Sequence, residues 1–140
     1  MRGQIADPHL VRETTDGRAD DVLGRISCNQ MCWGLRSRDY WLSCLINPAA
    51  GREWEWGGDR FTPSASPRTV VVVGTGPAGL EAARGTAERG HRATLFEAAA
   101  PIGGQLRLAG LQPRRGQITD LLGWYERQLG ELQVRLKLNS

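Results

Sequence analysis

Residues 70–104 constrain the fold of this 140-residue chain more than everything else in it. Val70-Val71-Val72-Val73 reads as a buried parallel strand, because an unbroken β-branched run suits that position. Gly74-Thr75-Gly76-Pro77-Ala78-Gly79 follows at once, and Leu80 to Gly90 reads as a helix. Ala93-Thr94-Leu95-Phe96 reads as a second strand that ends on Glu97. In such a turn Gly74 makes the tight reversal, Gly76 lets the backbone approach a pyrophosphate, and Gly79 packs helix on strand. Pro77 and Ala78 open the helix, whose free N–H groups and macrodipole favour a phosphate. Glu97 lies where a carboxylate accepts hydrogen bonds from ribose hydroxyls. A glycine pattern alone is weak evidence. Here the strand before it, the helix after it and the acid beyond it all agree, which a glycine turn in an unrelated α/β protein would leave unexplained.

The rest of the chain continues the alternation. Ile118, Leu121, Leu122, Tyr125 and Leu129 recur at helical spacing between about Gly116 and Gly130, and Val134-Arg135-Leu136-Lys137-Leu138 alternates like a third strand. The expected fold is α/β: a Rossmann-like βαβαβ half-domain with a parallel sheet, preceded by a mostly irregular or helical cysteine-containing segment. A whole domain of this type needs more strands, so the half-domain is expected to be truncated at Ser140.

Gly103-Gly104-Gln105 follows Glu97 after five residues. With Gly74 to Gly79, Ala83, Gly90 and Glu97, it resembles the extended fingerprint of FAD-dependent pyridine-nucleotide oxidoreductases. That resemblance implies FAD, or its ADP half, as the ligand, with Gly103, Gly104 and Gln105 passing close to it. Ala93 departs from the pattern, standing where valine is usual.

Cys28 and Cys32 are close in sequence, and Cys44 follows with eleven residues between. Convergent thiolates on a short loop suit a tetrahedral zinc or an iron–sulfur cluster. Three unrelated buried thiols fit the spacing equally well. The surrounding residues add a resemblance. Ile26-Ser27-Cys28-Asn29-Gln30-Met31-Cys32 and Cys44-Leu45-Ile46-Asn47-Pro48-Ala49-Ala50-Gly51-Arg52-Glu53 resemble the iron–sulfur segment of the old-yellow-enzyme-like NADH:flavin oxidoreductases, relatives of 2,4-dienoyl-CoA reductase and trimethylamine dehydrogenase. In that family an FMN-binding (β/α)8 barrel precedes a four-cysteine [4Fe–4S] loop, and an FAD- or ADP-binding domain follows. The resemblance implies that Cys28, Cys32 and Cys44 are the second, third and fourth cluster ligands. Arg25 stands where the first cysteine belongs, and a guanidinium offers iron no lone pair.

The same resemblance divides the chain. Residues 1–20 match the end of the barrel, where Arg2 would help hold the FMN phosphate; an ordinary solvated arginine is the plain alternative. Residues 21–58 are the cysteine segment, 59–68 a linker rich in Pro and Ser, and 69–140 the first half of the FAD domain. The implied function is an oxidoreductase in which electrons pass between NAD(P)H, FAD, a [4Fe–4S] cluster and FMN, acting on a small-molecule substrate. No acid–base residue for that substrate is expected within these positions. A non-catalytic ADP- or FAD-binding module with a structural zinc, or an inactive truncated product, are the competing readings.

Composition excludes other classes. The net charge is +3, from 18 basic residues of which only Lys137 is lysine, and no basic cluster interleaves with aromatics. Nucleic-acid binding is therefore not expected. No run of 18 apolar residues exists, so no membrane span is expected, and the location expected by default is cytoplasmic. There thiols stay reduced. Trp33, Trp41, Trp54 and Trp56 are expected to pack around, or shield, the cysteine segment. Trp124 is expected to pack within its helix, and His9 and His91 to lie at the surface.

Overall fold

The computed structural model describes residues 2–56 and 61–140. Gly57, Gly58, Asp59 and Arg60, where the expected boundary between cysteine segment and linker falls, lie outside the described residues. The chain divides into two compact units, Met1–Arg60 and Phe61–Ser140.

The first unit has little regular structure. Helix α1 spans Arg2–Ala6, α2 Leu10–Thr15 and α3 Glu53–Trp56. The Asp7-Pro8 pair does not start a helix: α2 begins at Leu10 with His9 as its N-cap. Asp7 instead works as a buried acceptor, taking the His9 N–H at 2.8 Å and the Leu23 N–H at 2.7 Å. Its two oxygens thus tie the turn between α1 and α2 to a segment sixteen residues further on. Asn47 does similar work, donating its side-chain amide to the Ile5 carbonyl at 3.0 Å and accepting from the Ala49 N–H at 3.1 Å. Side-chain to backbone bonds of this kind replace the apolar core that so small a unit lacks; Ala6 and Ala50 are its buried apolar residues.

The tryptophans of this unit do not form a core. Trp33, Trp41 and Trp54 are 65%, 75% and 87% exposed. Arg52 lies over the Trp56 ring. Aromatic side chains need several apolar neighbours to be buried, and this polar, short-helix unit does not supply them.

The second unit is the expected βαβαβ arrangement. Strand β1 covers Thr69–Val73, α4 Pro77–Glu88, β2 Arg92–Glu97, α5 Gln105–Gly110, α6 Gly116–Glu131 and β3 Arg135–Leu138. The three strands form one parallel sheet in the order β1-β2-β3. Val70 faces Ala93 and Val72 faces Leu95 across the first pair, and Leu95 faces Leu136 across the second. This side meets α4, whose Leu80 and Ala83 are fully buried. Ile118, Leu121, Leu122, Trp124, Tyr125 and Leu129 bury one side of α6, which packs on α4 and α5.

The reading of residues 70–73 as a buried run needs correction. Alternate residues are covered, but Val71 and Val73 are 60% and 81% exposed. Among the described residues helices cover one face of this sheet, so only every second valine, Val70 and Val72, is even half-buried.

Candidate functional site

The glycine turn sits at the carboxyl end of β1, where open parallel sheets take their ligands. Gly74 has φ +92°, a conformation other residues seldom adopt, and it bonds the Phe96 carbonyl at 2.7 Å, which holds the turn against β2. Gly79 sits where a Cβ would lie 1.8 Å from the Gly74 carbonyl oxygen, so α4 approaches the turn as closely as backbone allows. Gly76 is different: a Cβ there would meet nothing within 4 Å. It is the N-cap of α4, with extended backbone and no side-chain cap; Pro77 is the first helical residue and Ala78 the next. The first-turn N–H groups of such a helix lack intrahelical acceptors. An open space in front of uncapped donors fits a phosphate.

The second glycine pair comes to the same place. A Cβ at Gly104 would lie 3.6 Å from the Gly76 Cα, so the two turns face each other, and Gln105 begins α5 beside them. Gly103 is pinned from the other side, its N–H donating to the Thr75 carbonyl at 3.0 Å and to Thr75 Oγ1 at 3.1 Å. Glu97, the last residue of β2, accepts from the Thr75 N–H at 2.7 Å and from the Thr75 hydroxyl through one oxygen, and from the Ala99 N–H at 3.0 Å through the other. The Thr75 hydroxyl, followed by these backbone amides, pulls the Glu97 carboxyl down from its ordinary value to about 2. Gly74, Gly76, Pro77, Ala78, Gly79, Glu97, Gly103, Gly104 and Gln105 thus gather at one end of the sheet.

Sequence reasoning passed over Thr75. It is fully buried and joins Glu97 to Gly103. A hydroxyl between two turn glycines, where any small residue would fit the spacing, was the signal available.

In the first unit, Cys28, Cys32 and Cys44 line one cavity together with Arg25, Arg2 and Ile46. Local backbone explains the convergence. Ser27 and Asn29, on either side of Cys28, have φ of 54° and 53°, and the Gly34 N–H then bonds the Asn29 carbonyl five residues back, giving a wide turn that carries Cys32. Gly51, at φ +81°, lets the chain pass against the Leu42 carbonyl, where a Cβ would lie 2.1 Å away. Among the described residues no three His, Cys, Asp or Glu side chains are close enough to hold one metal ion. The three cysteine sulfurs are soft donors of the kind zinc or iron takes, whereas the Arg25 guanidinium, bonded to Ser27 at 3.3 Å, has no lone pair to offer a metal. Arg2 bonds the Asn29 side chain at 2.6 Å, so its guanidinium faces the cysteine turn.

Residues 72–115 match the family described as "NAD(P)-binding Rossmann-like domain". The chain is 42% identical to N,N-dimethylglycine/sarcosine dehydrogenase of Chromohalobacter salexigens, an alignment covering 99% of this chain and 20% of that protein. It is 38% identical to NADH oxidase of Thermoanaerobacter brockii, covering 97% of this chain and 21% of the relative. It also superposes on the structure of a 2-naphthoyl-CoA reductase with a TM-score of 0.93 and 35% identity, covering 99% of this chain and 21% of that one. The chain is a homologue of the old-yellow-enzyme-like NADH:flavin oxidoreductases. It spans about one fifth of the length of these relatives. The matches run through both the cysteine segment and the dinucleotide fingerprint, in line with the family resemblance carried by Cys28 to Glu53 and by Gly74 to Gln105. Among the described residues no helix is long and apolar enough to cross a membrane.

Proposed function

We propose that residues 69–140 bind the ADP half of FAD, and that residues 21–58 present thiolates to an iron–sulfur cluster, within a flavin-dependent oxidoreductase. The observation that carries this reading is the pairing of an open Gly76 cradle with a Glu97 carboxylate held ionised at the neighbouring strand end. The pyrophosphate would lie over Gly76 and the first turn of α4, which satisfies donors nothing else caps. The ribose hydroxyls would donate to Glu97. Gly103 and Gly104 keep that space free of side chains. When bound, the flavins and the cluster would supply the redox chemistry, carrying electrons between NAD(P)H and FMN for a small-molecule substrate; the protein's share is placement and tuning. Cys28, Cys32 and Cys44 would hold three irons, and Arg2, bonded to Asn29, would brace the cysteine turn. A cytoplasmic location belongs to the same proposal, because these thiols must stay reduced.

Calorimetric titration with ADP tests it. Gly76→Val should abolish binding while leaving helix content unchanged, because a Cβ there meets no protein atom within 4 Å and the added side chain fills the phosphate space. Equal affinity of the two proteins would contradict the reading.

A further inference from the structure

We propose that Thr75 is a positioning residue for the adenine dinucleotide, its hydroxyl joining the ribose-binding carboxylate of Glu97 to the second glycine segment at Gly103 and so setting the cradle before the ligand arrives. The proposal rests on the dinucleotide reading above.

The geometry is specific. A hydroxyl has one proton to give and lone pairs to receive with. Here the Thr75 hydroxyl donates to Glu97 and accepts from the Gly103 N–H at 3.1 Å. Its backbone repeats both links, the N–H donating to the same Glu97 oxygen at 2.7 Å and the carbonyl accepting from Gly103 at 3.0 Å. The residue is 0% exposed, so water does not compete for these bonds. The first turn, the end of β2 and the second glycine pair are therefore joined at one residue, whose side chain doubles each of its backbone links. Each segment contacts the ligand in the proposed complex, and Thr75 does so only through them. The bond also favours the charged form of Glu97, which is the form able to accept from ribose hydroxyls. Without the hydroxyl, Glu97 would lose one of its three donors and Gly103 one of its two acceptors, and both would be held more loosely before the ligand arrives. Preorganisation of this kind appears as affinity.

The test titrates ADP into the full chain and its Thr75→Val, Thr75→Ser, Glu97→Gln and Thr75→Val/Glu97→Gln variants, at several pH values. Thr75→Val should weaken ADP about tenfold, the loss of one net hydrogen bond. Thr75→Ser should bind within about twofold of the parent. In the Glu97→Gln background the valine substitution should cost clearly less, because the two residues act as a unit. The ratio of parent to Thr75→Val affinity should grow as pH falls through about 4, because the variant's carboxyl, left with backbone donors alone, protonates at a higher pH than the parent's while the titration of ADP itself is common to both. A purely structural role would lower the melting temperature without moving that pH profile. Equal affinity and equal profiles for parent and Thr75→Val would overturn the proposal and leave the dinucleotide reading standing. Failure of the parent to bind ADP would overturn that reading and this proposal with it. Should Thr75→Val not fold, the Glu97 carboxyl carbon can be followed by NMR in the parent and in Thr75→Ser. A Glu97 that titrates near 4 in the parent would overturn the proposal.

Discussion

At the scale of single residues, the glycines of one turn do different work, which their shared symbol conceals. Gly79 is required by the protein itself, since a Cβ there would strike the Gly74 carbonyl. A Cβ at Gly76 would meet no protein atom within 4 Å, so packing does not require glycine there, and in the proposed complex the phosphate does. Spacing predicted the packing role of Gly79 and singled out Gly76 for a ligand, because close backbone approach is what such a turn demands of glycine at these offsets. The part of Thr75 was not legible, since it depends on where Glu97 and Gly103 fold back in space. Glu97 also has a stability consequence. Its carboxyl is lowered in the folded state to about 2, so its contribution is fully present above the ordinary unfolded value of about 4.3 and is lost as pH falls toward 2. Thermal melts of the parent and Glu97→Gln should therefore differ by a constant amount above about pH 5, with the gap shrinking between pH 4.3 and 2. A gap that stays constant down to pH 2 would show that the carboxylate is not held by Thr75 and Ala99.

Among elements, the contact between α4 and α6 has a polar centre that periodicity alone did not reveal. Arg84 on α4 bonds Glu81 at 2.7 Å and Glu88 at 2.6 Å, and its guanidinium lies over the rings of Phe61 and Trp124. Tyr125 on α6 donates to Glu81 at 3.1 Å, and burial, with Glu81 beside it, pushes the phenol upward. The sequence shows Glu81, Arg84 and Glu88 at i,i+3 and i,i+4 spacing, the usual mark of a solvated helix face. Their partial burial comes from Phe61 and α6, which no local pattern reports. Arg84→Met should leave two half-buried carboxylates without a cation and cost about 3 kcal/mol. Urea denaturation checks this; a change under about 0.5 kcal/mol would mean that the pairs behave as surface ones. The three strands, α4 and α6 were readable because period and turn chemistry agree there, whereas α5, Gln105–Gly110, was not expected, being too short to show a period. The exposed Val71 and Val73 were not, because a β-branched run does not say how many faces of its sheet are covered.

For the whole molecule, the two units differ in how much the sequence says about them. The fingerprint unit follows from local rules. The cysteine unit is held by Asp7, Asn47 and left-handed turns at Ser27 and Asn29, features without a periodic signature. Spacing alone could not choose between ligands and core thiols, and it did not show that Cys28, Cys32 and Cys44 line one cavity. Arg25 lines that same cavity. Anaerobic reconstitution with iron and sulfide should therefore give substoichiometric, oxygen-labile incorporation in the parent chain, and Arg25→Cys should raise iron and acid-labile sulfide per chain and slow bleaching in air. A full, air-stable complement in the parent would show that another group serves as the fourth ligand. The central claim is that the fingerprint unit binds an adenine dinucleotide at the carboxyl ends of β1 and β2. The most direct measurement is the change in backbone amide NMR shifts of the full chain on adding ADP. The account predicts saturable changes confined to Gly74–Gly79, Glu97–Ala99 and Gly103–Gln105; changes centred elsewhere, or none at millimolar ADP, would contradict it.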